Sequence, residues 1–120
     1  MAKHNSLGQE GETIARRYLE QHGYEILETN WRIGHLEADI IAYHDHHIVF
    51  IEVKTRTSTD YGDPDEFVDQ KKRQSYIRLA NAYILEHDRN EEARFDIISV
   101  VIDTTGTQIN HLIDAYSTVG

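Results

Sequence analysis

Leu7, Gly11, Ile14, Ala15, Tyr18 and Leu19 recur at helical spacing and define one stripe near the start of the chain. Ser6 and Gln9 are spaced as a capping box ahead of that stripe, and Gly23 is placed to end it as a C-cap. From there the pattern turns to strands over 24–32, 36–43 and 47–56, the last two joined at Asp45 and His46 as an antiparallel hairpin. A polar stretch with Asp60, Gly62, Asp63 and the only proline, Pro64, leads to a second helix. Its start falls between Asp65 and Asp69, with Asp69 a candidate N-cap, and it runs to about Glu86. Two more strands are predicted over 94–102 and 108–116, on either side of the turn Asp103-Thr104-Thr105-Gly106. The order is helix, three strands, helix, two strands, an α/β fold with a mixed sheet. No repeat or linker divides the chain, so residues 1–120 are expected to form one domain.

The hairpin fixes which side chains meet. A two-residue turn at Asp45 and His46 sets Ile41 opposite Phe50, Asp39 opposite Glu52 and Glu37 opposite Lys54. The other face then collects Ala38, Ile40 and Ala42 with Val49, Ile51 and Val53. A slip of one residue would set Asp39 beside Val53 and mix the two faces, so the apolar pattern selects this register.

That register has a chemical consequence. Opposed side chains have Cβ atoms about 5 Å apart, and like charges at that distance are destabilising unless neutralised. Asp39 and Glu52 could share one Mg²⁺ or Mn²⁺, which takes oxygen ligands and keeps some of its waters. Such an ion would polarise a phosphoryl oxygen and acidify a water. Lys54, two residues beyond Glu52, could hold that water or stabilise charge developing on a phosphate. The competing reading is a surface hairpin on which Glu37 and Lys54 form a cross-strand pair.

Two helical residues extend the candidate group. Glu12 sits at the edge of the first apolar stripe, where it could look along the sheet, and Gly11 would let that helix approach closely. Lys72 precedes Tyr76, Leu79, Ala80 and Tyr83 on one stripe, so it should snorkel toward an acid or a phosphate, or pack its stem over the sheet edge.

Composition narrows the classes. With no cysteine there is no disulfide framework, thiolate metal site or Cys nucleophile, which suits a reducing compartment. No apolar run is long enough for a membrane span and the N-terminus has no apolar leader core, so a cytoplasmic protein without membrane association is expected. The formal net charge of −9 has the wrong sign for a general phosphate-backbone binder. Carboxylates that hold a metal count against that total, however, and 70–80 carries Lys71, Lys72, Arg73 and Arg78 without an acid. That stretch reads first as a solvated helix face. His44, His46 and His47 gather at the hairpin turn and are expected to be solvated, and the eight histidines form no zinc-type spacing. Asp96 and His111 could support a site from behind its ligands, but structural roles are expected of them first. There is no nucleophile elbow, phosphate loop or dinucleotide fingerprint.

Taken together, Gly8, Gly11-Glu12, Ala15, Gly23-Tyr24, Asn30-Trp31-Arg32, 37–42, 49–56, Lys72, Arg94-Phe95-Asp96 and Asp114-Ala115-Tyr116 resemble the uncharacterised bacterial YraN-like family across nearly the whole chain. That family is similar to the restriction-endonuclease-like superfamily with its PD-(D/E)XK motif, particularly to archaeal Holliday junction resolvases. The resemblance implies a restriction-endonuclease-like αβββαβ core with a mixed central sheet. It implies Glu12, Asp39 and Glu52 as metal ligands with the Val53 backbone carbonyl beside them, and Lys54 as the catalytic lysine. Glu37, Lys72 and Arg56 become candidates for supporting or phosphate-contacting roles. The implied activity is a Mg²⁺- or Mn²⁺-dependent endonuclease for branched or structured DNA, with a homodimer expected by analogy. One departure is Leu36-Glu37-Ala38-Asp39 where the family usually has Gly-Glu-Ile-Asp. The alternative is a catalytically silent module that binds nucleic acid or a DNA-processing partner, and below that a structural interaction domain.

Overall fold

The computed structural model describes residues 6–57 and 70–116, with the backbone alone at Ser6. The first stripe becomes helix α1 (Ser6–Gln21). It ends as predicted: Gly23 takes a left-handed φ of 87°. The Gly23 N–H donates to the Glu20 carbonyl at 3.2 Å and the Tyr24 N–H to the Leu19 carbonyl at 3.0 Å, a Schellman arrangement. Leu19 and Tyr24, the apolar pair that accompanies such an end, are buried in the same cluster.

Strands β1 (Glu25–Ile33), β2 (Leu36–His44) and β3 (His47–Arg56) follow as an antiparallel meander. Asp45 and His46 both have positive φ, 52° and 65°, which makes the turn type I′ and matches it to the twist of the strands. The β2–β3 register runs from His44–His47 through Ile41–Phe50 to Ile40–Ile51, as the apolar pattern predicts. Helix α2 (Gln70–Glu86) carries the chain to β4 (Glu92–Asp103), which pairs parallel to β3, and β5 (Gly106–Leu112) adds antiparallel at the edge. The result is one five-stranded mixed sheet in the order β1-β2-β3-β4-β5, an αβββαβ core with one further strand.

Both faces are covered, which is why the central strands are almost wholly apolar. Ile40, Ala42, Val49, Ile51, Ile98 and Val100 pack under Ala15 and Leu19 of α1. Ile41, Ile48, Phe50, Phe95 and Ile97 pack under Tyr76, Leu79, Ala80 and Tyr83 of α2, the four positions predicted as its buried stripe. Gly11 lets α1 lie directly on β3, because a Cβ there would overlap the Thr55 side chain.

Several expectations are corrected. Ala38 packs with the α2 cluster, whereas Ile40 and Ala42 pack with the α1 cluster, so strict alternation along β2 breaks at Asp39. On β1 the register runs through Thr29–Ile40 and Trp31–Ala38, and between them Asn30 adopts a left-handed φ of 53°. The last predicted strand stops at Leu112 instead of 116. There Asp114 turns with φ 57°, its N–H donates to Asp96 Oδ1 at 3.0 Å, and Tyr116 stacks on Phe95 at 5.0 Å. His44 is not solvated but stacks on Tyr24 with centroids 3.9 Å apart. The expected Ser6 cap side chain, the polar stretch around Pro64, the start of the second helix and its Asp69 cap lie outside the described residues.

Candidate functional site

The break in β2 determines where Asp39 goes. Beyond Ile40–Ile51, the Val53 N–H on β3 donates to Asp39 Oδ2 at 2.8 Å. A side-chain oxygen thus occupies the place of a ladder acceptor, and the carboxylate is held in the gap between the two strands. Asp39 lines two cavities from there. One, of about 460 Å³ under α2, also includes Glu37, Glu52, Lys71, Lys72, Ser75 and Tyr76. The other, of about 650 Å³ at the start of α1, includes Gly8, Gln9, Glu12, Asn30 and Glu37.

Charge is concentrated at that point. Burial, the largest influence, raises the Asp39 carboxyl from its ordinary value to about 6, and the Val53 N–H opposes the rise; Glu12, Glu52 and Glu37 each add to it. The acids singled out from the sequence therefore converge on Asp39. Glu52, only 5% exposed, faces the α2 side. Its Oε2 lies 2.6 Å from Lys72 Nζ, so Lys72 does snorkel to an acid. Its Oε1 is buried without a hydrogen-bond partner. Burial and the nearby Asp39 and Glu52 charges push the Tyr76 hydroxyl well above its usual range, although the Asp39 backbone hydrogen bonds to it.

The remaining candidates are placed as follows. Glu12 projects from α1, with Oε1 accepting from Asn30 Nδ2 at 3.2 Å. Glu37 pairs with Arg32 at 3.6 Å, its register neighbour on β1. Lys54 is half-buried on β3 beside Ser99 of β4, on the Glu52 face by strand alternation. Arg56 closes β3 opposite Val101. An extended residue turns its N–H and C=O toward the same neighbouring strand, so the Val53 carbonyl is directed to the β2 side, as its N–H is.

The residues suit a divalent cation in their chemistry. Two oxygen-donor carboxylates line one cavity, one with an orphaned buried oxygen and the other with its ionisation suppressed by burial and, to a lesser degree, by its acidic neighbours. As the side chains stand, no group of three or more histidine or acidic residues among the described residues is closed enough to hold a metal ion. Glu12, tied to Asn30, and Glu52, tied to Lys72, face Asp39 from different sides.

Sequence reasoning missed the part played by Tyr76 and Asn30. Tyr76 was legible only as a buried position, although its spacing of four from Lys72 set both on one stripe. Asn30 had one signal, an asparagine in a strand, a residue type that tolerates left-handed φ.

A second polar group lies on the α1 face. Arg94 forms a two-point pair with Asp96 at 3.0 and 2.8 Å and donates to the Tyr24 hydroxyl at 2.6 Å. His111 joins Asp96 at 2.8 Å and Tyr18 at 3.1 Å. This network ties β4, β5 and α1 together, the structural role expected of Asp96 and His111.

Comparison with known proteins adds a family. The model of the family described as "Uncharacterised protein family UPF0102" matches residues 11–100. The chain is 43% identical to a UPF0102 protein of Flavobacterium psychrophilum, over 97% of this chain and 98% of that protein. It is 42% identical to one from Christiangramia forsetii, with the same coverage. A relative from Bacteroides thetaiotaomicron is 43% identical over 97% of this chain and 96% of its own length. No helix among the described residues is long and apolar enough to cross a membrane.

Proposed function

We propose that this chain, which belongs to the uncharacterised protein family UPF0102, is a divalent-metal-dependent endonuclease acting on phosphodiesters of branched or otherwise structured DNA. The observation that carries this reading is the cavity that Asp39 and Glu52 share, where Asp39 is held against the Val53 N–H and Glu52 keeps a buried oxygen without a partner. Asp39 and Glu52 would hold Mg²⁺ or Mn²⁺, with Glu12 and the Val53 carbonyl as the further oxygen donors. The ion, when bound, supplies Lewis acidity toward a phosphoryl oxygen and a lowered water pKa. The resemblance to the PD-(D/E)XK superfamily and to archaeal resolvases supports the same assignment.

The chain's own residues supply the rest. Lys54, on the Glu52 face, orients the attacking water and stabilises charge on the transferring phosphate. Lys71 and Lys72 line the same cavity as the acids, so ammonium groups for a phosphate and carboxylates for a cation stand side by side. This division explains how a chain of net charge −9 can take a nucleic-acid substrate. Arg56, four residues along the strand from Glu52, is a candidate phosphate contact beyond the centre. A homodimer, matched to two symmetry-related DNA strands, belongs to the same proposal.

The test is cleavage of linear, flapped and four-way DNA with Mg²⁺ or Mn²⁺, alongside calorimetric metal titration. Cutting that disappears in Glu52→Gln and Lys54→Ala supports the reading. Cutting that persists in both variants overturns it. The second reading, a silent module for nucleic acid or a partner, draws on the Glu52–Lys72 ion pair, which fills one metal-facing oxygen with a cation of the chain itself. It predicts DNA binding without cleavage, unchanged by Asp39→Asn.

A further inference from the structure

We propose that Lys72 is a built-in stand-in for the metal, an ammonium that neutralises Glu52 until a divalent ion displaces it and frees Lys72 to bind the substrate phosphate. This rests on the reading of Glu52 as a metal-holding carboxylate. It adds a coupling between metal and phosphate that the carboxylates alone would not produce.

The geometry points to exchange rather than to a permanent ion pair. Glu52 is buried, with its side chain 7% exposed, whereas the Lys72 side chain is 51% exposed. Of the two, Lys72 is the one in reach of solvent. Its ammonium lies 2.6 Å from Oε2, while the other oxygen of the same carboxylate is buried without a partner. A divalent ion bound at about 2.1 Å from that carboxylate would stand against the ammonium, and two cations at such a distance repel strongly in a partly buried site. The more exposed ammonium is the one displaced.

The cavity indicates where it goes. Lys71, Lys72 and Ser75 line the same cavity as Asp39 and Glu52. A phosphate arriving there meets two ammonium groups, one of them just released by the metal. Metal and phosphate then each strengthen binding of the other, because coupling between two sites is reciprocal.

The experiment is a Mn²⁺ titration of the full chain by calorimetry, with the thermal midpoint as a second readout. It compares the native chain with Lys72→Met, Lys72→Arg, Lys71→Met and Glu52→Gln. Lys72→Met is expected to bind Mn²⁺ about tenfold more tightly and to gain a larger Mn²⁺-dependent rise in midpoint. Lys72→Arg keeps the competitor and should stay near the native affinity. Lys71→Met, which removes a charge from the same cavity wall, should change affinity by less than about threefold. A deoxynucleoside monophosphate, used as the phosphate probe, should tighten Mn²⁺ binding in the native chain and not in Lys72→Met.

Equal affinity in Lys72→Met and the native chain overturns the exchange, as does equal tightening in Lys71→Met. Loss of Mn²⁺ binding in Glu52→Gln together with either of those results leaves the metal-site reading standing and removes only the exchange. Native Mn²⁺ affinity in Glu52→Gln overturns both. Should Lys72→Met prove too unstable to titrate, Lys72→Gln is carried through the same comparison.

Discussion

Asp39 accepts a hydrogen bond from the Val53 backbone at 2.8 Å, so the side chain of one strand takes the place of a main-chain acceptor on the next. That substitution keeps β2 and β3 joined beyond the last regular pair, Ile40–Ile51. It also holds a carboxylate where burial and three other acids oppose its charge.

The first consequence concerns stability. The Asp39 carboxyl is raised from 3.8 to about 6, so the folded chain binds this proton more tightly than the unfolded chain does. Its favourable contribution is complete below about pH 4 and is lost as pH rises through about 6. Asp39→Asn should therefore be more stable than the native chain by about 1–3 kcal/mol near pH 8, with the gain vanishing near pH 4. Urea denaturation of both proteins across that range checks it.

Metal binding should show the complementary dependence. Asp39 must lose its proton to act as a ligand, so Mn²⁺ affinity should be flat above about pH 7 and fall toward tenfold per unit well below about pH 6. Calorimetry in buffers of different ionisation enthalpy would also register the released proton. Affinity that stays constant down to about pH 4.5 would remove Asp39 from the ligand set.

Catalysis should depend on Glu52 and Lys54 in distinct ways. Glu52→Gln should abolish metal binding and cleavage together, whereas Lys54→Ala should retain metal and lose cleavage by about 100-fold or more. Single-turnover cleavage measured beside metal titration separates the two. A Lys54→Ala enzyme of native rate would show that the ammonium takes no part in the reaction.

Gly11 is set by packing. A Cβ at this position overlaps the Thr55 side chain. Gly11→Ala should cost about 1–3 kcal/mol despite its better helix propensity, and part of that loss should be recovered in a Thr55→Ala background. Thermal unfolding of the four members of the cycle gives the coupling directly.

Asp96 is held on the opposite logic from Asp39. Burial alone would raise its carboxyl, but His111, Arg94 and the Asp114 N–H together keep it below the ordinary range. Its stabilising contribution is present above about pH 4 and lost as pH falls through its depressed folded value. Asp96→Asn leaves Arg94, whose side chain is 11% exposed, without its counter-ion, and should cost about 3–5 kcal/mol near neutral pH. Chemical denaturation measures the loss.

Local pattern alone was enough to determine the type and order of the seven elements among the described residues, the β2–β3 register, the Gly23 helix end and the buried stripe of α2. Each follows from spacing along one segment, or from a turn too short to allow a second pairing. The same register puts Asp39 and Glu52 on neighbouring strands. What only the tertiary structure decided is how the strands depart from regularity and what lies across from them. The break at Asp39, the left-handed Asn30, the turn at Asp114 that ends β5 and the seating of Lys72 on Glu52 all depend on partners distant in sequence. A periodic pattern assumes an undistorted strand, and a buried hydrogen bond such as Val53 to Asp39 can bend one for less than the cost of leaving a buried donor unpaired.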